Sequence, residues 1–287
     1  MCQRRRIRLL MDIYGLDFTS VPTKAKPIAG LRGHLDGELL RLEAFDPIQS
    51  IGAFEEFLMR PGPWVAGMDF PFGQPRKLIE NLDWPKSWGR YVLYLATKTR
   101  PEFVELLRAY RDPRPKGDKQ HLRRTDELAN SRSPMMLFGV PVWKMFFEGA
   151  HRLLASGACI QPCRPNEDPR VIVEAYPALV ARRWAGSRSY KAYEVRKQTE
   201  ARRSAREDIV RGLRSAAKRH FGINVQFDDE MAQAYIADGG GDLLDALLCA
   251  VQAAWGYSKL NANWGIPPQS DPLEGWIVDP ALLTGSV

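Results

Sequence analysis

The order of apolar segments near the N-terminus most restricts the fold of this chain. Residues 8–45 contain three consecutive strand patterns, the last two of which flank the hairpin turn signal Asp36-Gly37. Apolar residues at helical spacing predict a helix over residues 51–58, which ends before a Pro-Gly-Pro sequence. Residues 64–69 then have the pattern of a buried strand. Three antiparallel strands followed by a helix and another strand predict an α/β protein with some parallel strands.

The remaining segments are mainly helical and add one further core strand. Residues 75–158 have helical spacing, interrupted by a polar and basic loop over residues 112–133. Residues 170–174 predict a strand, and residues 193–221 and 242–256 predict two helices. Long helical segments are therefore expected between the strands of the sheet.

The composition is that of a globular chain. Its 287 residues are 45% hydrophobic and 26% charged, which excludes a disordered or fibrous protein and allows one large domain or two small ones. No apolar run approaches the roughly 20 residues that a membrane helix needs, so we expect a cytoplasmic protein without a membrane partner. Four cysteines are too few for a disulfide scaffold. Cys159 and Cys163 lack a second Cys or His pair that would complete a zinc site, which favours buried or idle thiols.

Three acids fall at or near the ends of the best core strands, namely Asp17, Asp69 and Glu174. Ligands of open α/β sheets bind outside the carboxyl ends of the strands, so these carboxylates converge if the strands are neighbours. Ionised carboxylates repel one another unless a cation neutralises them, and their oxygens suit Mg²⁺ or Mn²⁺. Each acid taken alone has the alternative role of capping the following helix.

A late helix adds two more acids. Asp242 and Asp245 lie one turn apart on the same face, directly after three consecutive glycines. Asp242 suits the N-cap position as well as it suits a metal site. Asp245 lies within the first turn, where capping explains it less well, and it would complete a four-carboxylate site.

Motifs spread over nearly the whole chain resemble an uncharacterised family of predicted ribonuclease-H-like nucleases, and they occur in the order of that family. The late Asp-x-x-Asp-Ala segment is also similar to that of RuvC-type resolvases. The motifs are Gly15-Leu16-Asp17-Phe18, Gly67-Met68-Asp69-Phe70-Pro71-Phe72-Gly73, Arg124-Thr125-Asp126, Val173-Glu174-Ala175-Tyr176-Pro177, Tyr190-Lys191, Asp245-Ala246-Leu247 and Glu274-Gly275-Trp276-Ile277.

The resemblance implies a particular fold within the α/β class. This is a ribonuclease-H-like mixed sheet, with three antiparallel strands followed by parallel strands and with helices on both faces. It implies a single domain over residues 1–287, with helical insertions at about residues 75–158 and 178–238.

The resemblance also implies a metal-dependent nuclease that uses Mg²⁺ or Mn²⁺. The implied catalytic residues are Asp17, Asp69, Glu174 and Asp245, of which Glu174 matches only the Glu-x-Tyr-Pro motif of the narrower family. The implied metal ligands are Asp17, Asp69, Asp242 and Asp245. On this hypothesis, the residues that contact substrate phosphates are Arg123, Arg124 and Lys191.

The positive charge of the chain is localised. The formal net charge is +7, with 41 Lys or Arg against 34 Asp or Glu. Residues 188–220 hold 11 basic against 4 acidic residues and residues 98–124 hold 9 against 4, so the rest of the chain is acidic on balance. Beside an acidic site, these segments predict a nucleic-acid partner, and the alternative is a solvated helix face with internal ion pairs.

Three functions follow from these patterns. The leading hypothesis is a hydrolase that cleaves phosphodiester bonds of DNA or RNA. The second is a non-catalytic nucleic-acid-binding or scaffold protein with the same fold. The third is a small-phosphate hydrolase, although the sequence has no Gly-Lys-Ser/Thr phosphate-binding loop.

Overall fold

The computed structural model describes residues 10–139 and 142–283. Its strands are β1 Met11–Asp17, β2 Ala29–Asp36, β3 Leu39–Phe45, β4 Trp64–Met68, β5 Cys159–Gln161, β6 Arg170–Glu174 and β7 Asn224–Gln226. Its helices are α1 Ile51–Leu58, α2 Arg76–Asn81, α3 Trp88–Ala96, α4 Arg100–Arg111, α5 Arg124–Ala129, α6 Val142–Ser156, α7 Pro177–Ala185, α8 Glu200–Phe221, α9 Asp229–Ala237 and α10 Asp242–Ser258.

The strands form one mixed sheet in the order β5-β6-β4-β1-β2-β3-β7. Strands β1, β2 and β3 are consecutive antiparallel neighbours, whereas β4 is parallel to β1, β6 to β4 and β5 to β6. This arrangement confirms the predicted fold class. It also makes β1, β4 and β6 adjacent and parallel, so their carboxyl ends meet at one edge of the sheet.

Helices cover both faces of the sheet because the side chains of β1 alternate between two apolar cores. Ile13 packs in a core with residues of α7, α8, α9 and α10, such as Leu213 and Leu247. Tyr14 and Leu16 pack in the other core with residues of α1, α3, α4 and α6, such as Phe146. The two regions expected to be helical insertions contain α2–α6 and α7–α9.

Helix α10 lies against β1 and β4 at backbone contact distance. A Cβ atom at Gly15 would lie 1.9 Å from the carbonyl oxygen of Ala246, and one at Gly67 would lie 2.3 Å from that of Cys249. Larger residues at these two strand positions would push the helix away from the sheet. The close approach brings the first turn of α10, and with it Asp245, beside the ends of β1 and β4.

Several boundaries differ from the sequence-based expectations. The α-helix expected over residues 193–221 begins at Glu200, and the residues before it form an irregular segment with a short 3₁₀ turn. Tertiary hydrogen bonds hold the chain just ahead of that turn, as the Ala192 N–H donates to the Gly239 carbonyl at 3.0 Å. The first two residues of the predicted strand region 8–45 lie outside the described residues, as does Cys2.

No helix of the described chain is long and apolar enough to cross a membrane. Cys159, Cys163 and Cys249 are free and buried, which agrees with the expectation for these thiols.

Candidate functional site

Three carboxylates meet at the carboxyl edge of the sheet. Asp17 is the last residue of β1, Asp69 directly follows β4, and Asp245 lies in the first turn of α10. One carboxylate oxygen from each lies within 4.8 Å of the other two. We refer to these three residues as the acidic cluster. They are three of the four residues expected to bind metal.

The positive charge of Lys191 acts on the carboxylates of Asp17 and Asp69 and lowers the pKa of both, but it pairs directly with Asp245. Among the described residues, no side chain donates a hydrogen bond to either carboxylate or forms an ion pair with it, and both residues line a cavity. Burial raises the pKa of Asp17 well above its ordinary value, and the negative charge of Asp245 raises it further. Burial likewise raises the pKa of Asp69 to about 7.

Asp245 is fully buried and has two donors. The Tyr190 hydroxyl donates to its Oδ1 at 2.6 Å, and the Lys191 ammonium pairs with its Oδ2. Burial still raises the pKa of Asp245, against the opposing effect of Lys191. Each oxygen of Asp245 therefore has a fixed partner, so the carboxylate is held in one orientation within the cluster.

Lys191 is held in the site by its backbone surroundings. The guanidinium of Arg206, a buried residue of α8, donates to the Tyr190 carbonyl at 2.7 Å. Gly241 has a φ of 81°, and a Cβ there would lie 2.7 Å from the Cβ of Lys191. The glycines before α10 thus leave room for Lys191 beside the start of the helix.

Asp242 does not cap its own helix, which was the alternative role for this residue. Gly241 is at the N-cap position, and the carboxylate of Asp238 accepts the Leu243 N–H at 2.9 Å. The Oδ1 of Asp242 is buried and has no hydrogen-bond partner among the described residues. Asp242 also raises the pKa of Asp17, so it lies within electrostatic reach of the acidic cluster.

Glu174 belongs to a different set of contacts. Its carboxylate accepts two hydrogen bonds from Arg123, at 2.8 and 2.6 Å, and one from the Phe72 N–H at 3.0 Å. Arg123 also binds the carboxylate of Asp126 twice at 2.8 Å and the Glu274 carbonyl at 2.9 Å. Arg123 is 2% exposed, and its guanidinium lies at the centre of a buried network of ion pairs in the wall of the cavity.

The three predicted phosphate contacts lie in unlike surroundings. Arg123 is buried in its ion network, whereas the side chain of its neighbour Arg124 is exposed and pairs with Glu127 at 2.9 Å. Lys191 pairs with Asp245 in the acidic cluster, and 35% of its side chain is exposed to the cavity side of the site. Their roles toward a substrate stay predictions.

Asp17 and Asp69 of the acidic cluster line a cavity of about 600 Å³. Its lining includes Phe18, Phe70 and Met145 as apolar walls. Sequence reasoning gave no functional role to four of its polar lining residues. These are Lys26, Arg132, Lys144 and Tyr193. No motif marks them, because they come from four separate segments of the chain and meet only in the fold.

The raised pKa of Asp69 predicts how stability depends on pH without metal. The unfolded carboxyl loses its proton near pH 4 and the folded one near pH 7, so the unfolded chain binds fewer protons between these values. The free energy of unfolding should therefore fall as the pH rises from about 4 to 7, and Asp69→Asn should remove that contribution. Urea unfolding of both proteins in EDTA at several pH values measures it. A difference between them that does not change with pH would contradict the prediction.

The donor set of the cluster fits a hard divalent cation. Three carboxylates offer oxygen ligands, and in the described part of the chain two of them have no competing donor. Asp242, whose buried Oδ1 also has no partner there, lies within electrostatic reach of Asp17 and Asp245. Burial, and after it the neighbouring negative charges, raise the pKa values of the cluster, and a bound cation would favour the ionised carboxylates against both effects.

A comparison with protein-family models gives one match. The model described as a protein of unknown function (DUF429) matches residues 15–258, a segment that contains the whole acidic cluster. Neither a curated protein nor a solved structure matches the chain significantly. Because the match covers most of the sequence, the chain belongs to the DUF429 family of proteins of unknown function.

Proposed function

We propose that this protein is a metal-dependent nuclease with a ribonuclease-H-like fold, which hydrolyses phosphodiester bonds of DNA or RNA. The observation that carries the proposal is the acidic cluster itself. Three carboxylates lie within 4.8 Å of one another at the carboxyl edge of a mixed sheet, and two of them face a cavity without a side-chain donor among residues 10–139 and 142–283. Such a set has little stabilising role in the absence of a cation.

The residues of the site would have two roles, binding the metal ion and positioning its ligands. Asp17, Asp69 and Asp245 would hold Mg²⁺ or Mn²⁺, and Asp242 adds negative charge beside them. When bound, such an ion lowers the pKa of water and offsets charge on the leaving oxygen of a phosphodiester. Tyr190 and Lys191 fix the orientation of Asp245, so that its oxygens need no rearrangement of the backbone to act as ligands. The apolar walls of the cavity exclude bulk water from the reacting phosphate.

Metal-dependent cleavage and metal-dependent stabilisation test this proposal together. The full-length protein is incubated with labelled DNA and RNA strands and duplexes in Mg²⁺, in Mn²⁺ and in EDTA, and its thermal unfolding is followed in the same buffers. We expect cleavage only with metal. We also expect Mn²⁺ at 100 times its Kd to add about 2.7 kcal/mol to the free energy of unfolding. No stabilisation by Mn²⁺ and no cleavage of any of these nucleic acids would refute the proposal.

A further inference from the structure

The acidic cluster lies below the protein surface, and two of its three residues line the cavity. Asp245 is fully buried and Asp17 and Asp69 are only partly exposed. The cavity volume of about 600 Å³ is in the range of sites that enclose a small organic ligand or part of a flexible chain. A phosphate of a rigid double helix lies on a broad cylinder, whereas a single strand can bend a phosphate into such a recess. Depth and size therefore favour a flexible strand.

The unpaired positive charge of the site lies in this cavity. Lys26, Arg132 and Lys144 line it, and within residues 10–139 and 142–283 none of them forms an ion pair with a carboxylate. The long basic helix α8 is different, because four of its seven Lys and Arg residues pair with acids. The α8 pairs include Arg203 with Glu207, Arg211 with Asp208, Arg214 with Asp229 and Lys218 with Glu38. Two further α8 cations, Arg202 and Arg206, donate to backbone carbonyls. Phosphates are thus expected to bind at the cavity in preference to α8.

An exposed aromatic ring stands beside these cations. Tyr193 lines the cavity and is 62% exposed, and the Lys26 ammonium lies 3.9 Å from the centroid of its ring. An exposed aromatic ring next to a phosphate-binding cation is the combination with which proteins bind unpaired bases. In a duplex the faces of the bases are stacked on each other and cannot reach such a ring.

We propose that the cavity binds a single nucleic-acid strand, with its phosphates on Lys26, Arg132 and Lys144 and an unpaired base on the ring of Tyr193. This inference rests on the proposed function for the chemical class of the substrate. It names single strands, and not duplexes, as the form that reaches the acidic cluster.

Binding without cleavage tests the aromatic part of the proposal. Fluorescence anisotropy of the full-length protein in EDTA compares a labelled strand with a duplex of the same sequence. We expect the strand to bind at least about ten times more tightly, and Tyr193→Ala to weaken its binding by about ten times. Tyr94→Ala is the matched control, because Tyr94 is also exposed, lies 5.0 Å from the ammonium of Lys98 and does not line the cavity. It should leave the affinity unchanged.

Salt dependence tests the cationic part. For a single strand, the logarithm of the association constant decreases linearly with the logarithm of the salt concentration, and the magnitude of this slope drops by about 0.7 for each phosphate contact that is lost. Lys144→Gln should reduce the slope by about this amount, whereas Lys218→Gln on α8 should not change it. The reverse result would overturn the proposal, and so would a duplex that binds as tightly as the strand. A mononucleotide that competes as well as the strand would also overturn it, in favour of a small-phosphate substrate.

These outcomes are separate from those of the proposed function. If duplex and strand bind equally and Mn²⁺ supports cleavage of both, the strand proposal fails and the nuclease stands. If the strand binds as expected at Tyr193 and Lys144 and no metal supports cleavage, the nuclease fails and the strand site stands.

Discussion

Replacing Asp17 with Asn is expected to reduce Mn²⁺-dependent cleavage by at least about 10³-fold. A metal ion in such a site supplies several kcal/mol of transition-state stabilisation, and each 1.4 kcal/mol or so corresponds to a factor of ten in rate. Asn keeps the shape of the side chain but removes the charge that binds the ion. Initial rates of cleavage of a labelled strand, measured at saturating Mn²⁺, give the size of the loss.

The same variant should leave the metal-free fold intact, which separates lost chemistry from lost structure. No described side chain donates to the Asp17 carboxylate, whose pKa is raised first by burial and then by the negative charges of Asp245, Asp69 and Asp242. Removing one of these like charges should therefore not lower the free energy of unfolding in EDTA. It should abolish the stabilisation by Mn²⁺. Asp12→Asn is the control, because Asp12 lies on the same strand but is exposed. If Asp17→Asn cleaved at the wild-type rate, Asp17 would not be a catalytic metal ligand.

The convergence of Asp17 and Asp69 could be predicted from sequence because it depends on only two features. Each acid ends an apolar strand, and a strand that returns through α1 lies parallel to the first. Strand order and direction then place both carboxylates at one edge. The position of Asp245 beside them depends on a third feature, which is the close contact of Gly15 and Gly67 with α10. This contact brings the start of the helix to that edge of the sheet.

Glu174 shows why a position at a strand end does not determine a role. It ends a core strand, as the sequence predicted, and that strand, β6, lies beside β4, but the guanidinium of Arg123 binds its carboxylate. Arg123 lies 51 residues earlier in the chain, in a segment whose pattern predicted a polar loop. Local sequence cannot show which of two distant charges will meet, and so it could not separate Glu174 from the acidic cluster.

The net charge of a segment did not predict how many of its cations are left without an ion pair. Residues 188–220 are strongly basic in sequence, but three of their cations pair with acids from outside the segment, and one of these pairs is Lys191 with Asp245. Asp229 binds Arg214, and Glu38 binds Lys218. The cations that remain unpaired at the cavity come from segments that did not stand out. Strands β5 and β7 could not be predicted from sequence either. Each has only three residues, which is too few to show the alternation of apolar and polar residues that marks a strand.

Arg123→Met is expected to lower the free energy of unfolding by about 3–5 kcal/mol at pH 7. Met keeps much of the length of the side chain but leaves Glu174 and Asp126, which are 2% and 1% exposed, without their cation. Removing one partner of a buried ion pair costs this much because the remaining charge is neither hydrated nor neutralised. Urea unfolding followed by circular dichroism gives the free energy difference.

The adjacent residue provides the matched control for this prediction. Arg124 carries the same charge, but its side chain is 55% exposed and pairs with the exposed Glu127. Arg124→Met should therefore cost no more than about 1 kcal/mol. The double variant Arg123→Met/Glu174→Gln should recover part of the loss, since it removes one of the two buried charges that the first change leaves unpaired. Equal losses for Arg123→Met and Arg124→Met would show that the network does not stabilise the cavity wall, and would return Arg123 to the residues available for a substrate phosphate.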